Sequence, residues 1–178
     1  MKGEHATIEL NVDKIGQLFE SLDPMPFRER DLDRNAEEYI LDWARELPPR
    51  AGIRIRVHMP AAEASSENSE VVRDAFGRYF RYRADVTRRS LDELFRVGRY
   101  SLAVGLVLLA VCLGAGQLLA RLPAASHFGP LAKEGMMILG WVANWRPIEI
   151  FFYDWWPIVR RRKLFERLAR ARIEILPR

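Results

Sequence analysis

Four polar residues, Asn144, Arg146, Glu149 and Asp154, sit among the apolar and aromatic residues that lie between Glu134 and Arg160 in LAKEGMMILGWVANWRPIEIFFYDWWPIVR at 131–160. Ionisable groups at membrane depth are costly, so each needs a structural or functional reason. Arg146 and Glu149 are three residues apart, a spacing that puts both side chains on one face of a helix and within reach of each other. Pro147 lies between them, removes a backbone donor and frees the carbonyl of Ala143, which predicts a kink there, with Asn144 placed to satisfy the opened backbone. Three kinds of chemistry fit. Arg146 and Glu149 neutralise each other as a clasp closing a helical hairpin; or the crossing ends near Trp145 and 148–159 runs along the membrane surface; or the group binds or conducts an ion, a proton or a lipid headgroup.

The elements that would position these residues begin with 101–120, SLAVGLVLLAVCLGAGQLLA, which has no charged residue. Twenty residues at about 1.5 Å each span the roughly 30 Å hydrocarbon layer. The run follows a hundred mostly polar residues and is flanked by Arg96 and Arg99, so it reads as a transmembrane helix and not as a cleaved signal. Arg88, Arg89, Arg96 and Arg99 precede it and Arg160, Arg161, Arg162 and Lys163 follow the second run, whereas the segment between offers only Arg121 and Lys133. Both termini are therefore expected in the cytoplasm, which makes 131–159 a return crossing. Taking Tyr100, Trp155 and Trp156 as interfacial markers, the count places Arg146 near the midplane.

Small residues offer a packing seam between crossings. Gly98, Ser101, Gly105, Cys112 and Ala115 follow a seven-residue repeat, and Gly140 and Ala143 could face them from the return segment. In lipid, such residues let backbones approach closely. A second subunit could use the same seam, which would set Arg146 and Glu149 about the axis of a bundle.

Outside the membrane runs, residues 6–12 and 52–59 alternate apolar and polar as strands do, and 34–47 carry a helical stripe through Ala36, Tyr39 or Ile40, Trp43 and Leu47. Asp13 is expected to cap a short helix to about Leu22, and the two prolines at 24 and 26 mark a turn-rich loop over 23–30. From about Asn68 a helix should run straight into the first crossing. Residues 158–171 read as a basic helix, and the final IEIL as a third strand. The expected fold is an α+β membrane protein: a cytoplasmic α/β cap of about three strands (1–67), a cytoplasmic helix (68–100), a transmembrane hairpin (101–121, loop 122–130, and 131–159 kinked near Pro147), and a basic helix with a terminal strand (160–178).

Composition and motifs narrow the function classes. The net charge of +4 could suggest nucleic acid, but residues 1–60 hold twelve acidic and nine basic side chains while 121–178 hold five and eleven. The excess lies beside the membrane, where it fits anionic lipid, so no nucleic-acid partner is expected. The single cysteine, Cys112, falls within the first crossing and excludes an internal disulfide. DLDRNAEEYILD at 31–42 spaces oxygens as an EF-hand loop does, but Ala36 replaces the glycine the turn needs and Asp42 the final glutamate. His5, His58 and His127 lack companions that would complete a metal site. No phosphate loop or nucleophile–base arrangement occurs, so neither an enzyme nor a cofactor is expected.

WRPIEIFFYDWWPI, following the SLDP loop and the DLDRNAEEYILDWARELP helix, resembles a group of small two-span bacterial inner-membrane proteins. The resemblance covers nearly the whole chain and implies the two-span topology and an inner-membrane location, but no activity, cofactor or site residues. The functional expectation is a non-enzymatic membrane protein that works as an oligomeric or partner-bound accessory or scaffold subunit. The alternative is a small homo-oligomeric channel or transporter using Arg146, Glu149 and Asp154. A lipid-modifying enzyme built on Asp154 and the juxtamembrane arginines is a weaker third, lacking a nucleophile or metal.

Overall fold

In a computed structural model of the chain, residues 5–20, 31–48, 51–120 and 129–178 are described. The loop expected at 23–30, the segment 121–128 with His127, and the side chain of His5 lie outside the described residues. The chain divides into two compact units: Met1–Thr87 with Arg160–Arg178, and Arg88–Val159.

The first unit is built on a parallel three-stranded sheet of β1 (His5–Asn11), β2 (Gly52–Met59) and β3 (Arg172–Pro177), in the order β1-β2-β3. The alternation in β2 is strict: Ile53, Ile55, Val57 and Met59 are buried, and the residues between them are exposed or half-buried. An order that never reverses puts right-handed crossovers on the same face of the sheet. Burial agrees, because every buried strand residue among those described, from Ile8 and Leu10 to Ile173, points to that one face.

Helix α1 (Arg34–Glu46) begins where Asp33 accepts hydrogen bonds from the amides of Asn35 and Ala36, at 2.9 and 3.2 Å. Its buried stripe is Glu37, Ile40, Leu41 and Ala44. Of the stripe expected through Ala36, Tyr39 or Ile40, Trp43 and Leu47, Ile40 is buried and Ala36 and Leu47 pack against the core, whereas the Tyr39 and Trp43 rings are exposed. The short helix after Asp13 is a single 3-10 turn, Ile15–Leu18, and Asp13 does not cap it; the Gln17 side chain instead accepts from the Asp13 amide at 2.8 Å. On the same face as α1, helix α2 (Ser66–Ala120) brings Val72, Phe76 and Phe80 into the core, and α5 (Trp155–Leu168) brings Leu164, Phe165 and Leu168. The helix expected from about Asn68 into the first crossing is continuous over the 55 residues of α2.

In the second unit, the later part of α2 is followed by α3 (Gly129–Ala143), α4 (Trp145–Glu149), a π-helical turn (Ile150–Asp154) and the start of α5. Among the described residues one helix, α2, is long and apolar enough to cross a membrane. The single kinked helix expected over 131–159 is broken into these shorter pieces, and the break falls at Asn144, three residues before Pro147. The reason is local. With Asn144 as N-cap, Pro147 lies in the first turn of α4, where an amide has no partner within the helix and its loss costs little.

Candidate functional site

Small residues set the packing of the second unit. A Cβ added at Gly98 would come within 2.8 Å of Ile150, at Gly105 within 2.6 Å of Asn144 and 3.2 Å of the Ala143 carbonyl, and at Gly140 within 2.7 Å of the Leu109 side chain and 3.2 Å of its Cα. Gly116 faces Lys133 more loosely, at 3.5 Å. As numbers rise along α2 their partners' numbers fall, so the later part of α2 and α3–α4 pack antiparallel. Cys112 is buried at the Gly140 contact, Ser101, Ala115 and Ala143 are half-buried, and Gly114 and Gly135 face open space.

Asn144 closes this seam. Its backbone amide bonds to Trp141, one residue short of the helical partner, which leaves the Gly140 carbonyl without its usual donor. The side-chain Nδ2 supplies that donor at 2.9 Å and also donates to the Gly105 carbonyl of α2 at 3.1 Å. One amide therefore repairs the break in its own segment and ties that segment to the other helix. Its Oδ1 is buried and receives no N–H or O–H donor among the described residues. It faces the hydrogen that Gly105 carries in place of a side chain, a weak Cα–H···O contact.

Arg146 meets Glu149 at 3.2 Å, as the three-residue spacing predicts, and also Asp154 at 2.9 Å. Eight residues do not return to the same face of an α-helix, whereas seven do, and the π turn at Ile150–Asp154 absorbs the extra one. Nothing in the sequence announces that turn, so the Asp154 partnership could not be read from it. Glu149 also accepts from the Trp145 indole at 3.0 Å. All these partners belong to the one stretch from Trp145 to Asp154, and the three charged side chains are 57, 41 and 34 % exposed. The polar bond joining the helices is that of Asn144, so the expected Arg146–Glu149 clasp closes on its own segment.

A second polar group, in the first unit, escaped the sequence reading. Glu37 is buried, yet its two carboxylate oxygens take the Tyr79 hydroxyl at 2.8 Å and the Arg83 guanidinium at 2.8 and 2.9 Å. The guanidinium also lies over the Phe165 ring, 5.4 Å from its centre. Burial, then the hydrogen bond to Glu37, push the Tyr79 phenol well above its ordinary value, so it stays a donor. The available signal was the i, i+3, i+4, i+7 stripe of 37, 40, 41 and 44, with an acid at its first position. Among the described residues no group of three or more metal-ligating side chains comes together. Comparison with protein-family models, curated proteins and solved structures yields no match.

Proposed function

We propose that the chain is a two-span, non-enzymatic integral membrane protein with both termini in the cytoplasm of a bacterial cell, acting as an oligomeric or partner-bound accessory or scaffold subunit. The observation that carries this reading is the inverted burial of the second unit. Along the 98–144 contact its buried positions are mostly small or polar, Gly98, Gly105, Cys112, Gly116, Gly140 and Asn144, with the larger Leu91, Pro147 and Ile150 buried towards its cytoplasmic end, while Val104, Val107, Val111, Leu118, Leu131, Ile138, Trp141 and Val142 are exposed. A water-soluble helix pair buries its large apolar side chains, whereas a pair in lipid buries small and polar ones and presents the large ones outward. The pattern extends from α2 onto α3, which supports a return crossing despite the interruption at Asn144.

On this reading the antiparallel register changes the depth of the charged group. Asn144 is level with Gly105, so Arg146 is level with Ala103, four residues or about 6 Å from the level of Arg99. Arg146 would then lie near the inner end of the 101–120 run and not at its middle. Exposed Tyr100 and Trp145 are within one helical turn of that level, which suits the preference of amphipathic rings for the interface. An exposed Arg146–Glu149–Asp154 group is solvated there, which favours an interfacial anchor over a conducting path. The docking surface would be the cap, where Tyr39 and Trp43 are exposed beside a sheet covered on one face.

The test is reconstitution of the full chain in lipid nanodiscs, with mass measurement and a liposome flux assay. A stable oligomer or a retained partner without flux supports the subunit reading; a strict monomer that retains no partner overturns it. Flux abolished by Glu149→Gln with assembly intact would establish the channel instead.

A further inference from the structure

The cap sheet is all-parallel but, among the described residues, covered on one side, whereas sheets of this kind are almost always covered on both. The register sets the uncovered residues in three rows across β1, β2 and β3: Thr7, Arg54 and Arg172; Glu9, Arg56 and Glu174; Asn11, His58 and Leu176. The middle row alternates in charge. The first places two arginines side by side on neighbouring strands, which repel. Glu174 offsets them alone, its carboxylate drawing the Nε atoms of Arg54, Arg56 and Arg172 to 3.3, 3.4 and 3.6 Å. Glu9 reaches Arg56, at 3.8 Å. Three guanidiniums against two carboxylates leave an excess of one positive charge, centred on the Arg54–Arg172 row. There the Arg54 Nε is buried without a well-directed acceptor, and the Arg172 side chain is 74 % exposed.

We infer that this face seats an acidic helix of a partner protein, whose carboxylates pair with Arg54 and Arg172. The inference rests on the docking role proposed for the cap and names the chemistry of its partner. Acidic side chains one turn apart on a helix are about 5–6 Å from each other, close to the roughly 4.8 Å between neighbouring strands, so one such pair meets both arginines. A phosphate ion would satisfy the charges without supplying the missing layer. A second copy of the same face would bring the same positive excess and be repelled.

The experiment uses the full chain in nanodiscs of zwitterionic lipid. The probes are a labelled alanine-based helical peptide carrying Glu pairs at i, i+4 and its Gln counterpart. The Glu peptide should bind, weaken as salt rises, and lose at least tenfold in affinity to Arg172→Glu. Arg172→Lys, which keeps the charge, should retain binding, so a loss in Arg172→Glu reads as lost pairing and not as misfolding. Equal binding of the Gln peptide, binding unchanged by Arg172→Glu, or displacement of the peptide by millimolar inorganic phosphate overturns the inference. No binding by a protein that still assembles overturns this inference alone, whereas no binding by a strict monomer without a partner removes the docking role as well.

Discussion

Asn144 carries more of the second unit than any of the charged residues around it. Replacing it with alanine removes the bonds to Gly140 and Gly105 together, and should cost about 1–2 kcal/mol at the helix contact, read as a lower midpoint in detergent-induced unfolding. Arg146→Gln should cost less than half of that, because its partners are exposed and lie within its own segment. Glycines give an internal control. Gly105→Ala forces a methyl against the Asn144 side chain and the Ala143 carbonyl, whereas Gly114→Ala enters open space. The first should loosen the helix contact, measured as a lower midpoint in detergent-induced unfolding; the second should leave that midpoint unchanged. Periodicity made the small-residue contact legible, but not the role of Asn144: it was expected to satisfy the Ala143 carbonyl freed by Pro147, and its side chain bonds the Gly140 and Gly105 carbonyls instead. The level of Arg146 along α2 was not legible, because it depends on which residue of one helix lies beside which residue of the other.

Elements in the cap show how a polar residue can misdirect a correct helix assignment. The boundaries of α1 follow from Asp33 and from Pro48, but the rotation of the helix turns on Glu37, which looks like a surface residue until Tyr79 and Arg83 are found to satisfy it. Glu37→Ala should destabilise the cap by about 2–3 kcal/mol, since it strands a half-buried guanidinium, and Tyr79→Phe by about 1 kcal/mol, both read from chemical denaturation. The phenol also sets a pH dependence. Its folded-state pKa is raised above the unfolded value of about 10, so its contribution is whole below that pH, and stability declines as the pH rises above it while the unfolded chain ionises. Tyr79→Phe should flatten that alkaline decline in a series of unfolding curves. The π turn behaves differently from α1: it depends on a slip of backbone pairing that no residue type in IFFYD specifies.

For the whole molecule, strand positions and the helical character of the chain were legible from alternation and from the uncharged run at 101–120, but strand direction was not. Parallel pairing of β2 with β3 joins residues such as Arg56 and Glu174, 118 positions apart, across every helix of the second unit. The two-span topology predicts that fluorescent reporters fused to either terminus will be active in the cytoplasm, and that a phosphatase inserted after Ser126 will be active only outside it. One consequence of β3 following every helix of the second unit concerns the order of assembly. The sheet gains its third strand only after residues 66–171 have been made, and on the proposed two-span topology β3 reaches β2 only once the return segment has brought residues 172–177 back to the side where β2 waits. A chain halted after one crossing would then hold a two-stranded sheet with β2 as an open edge.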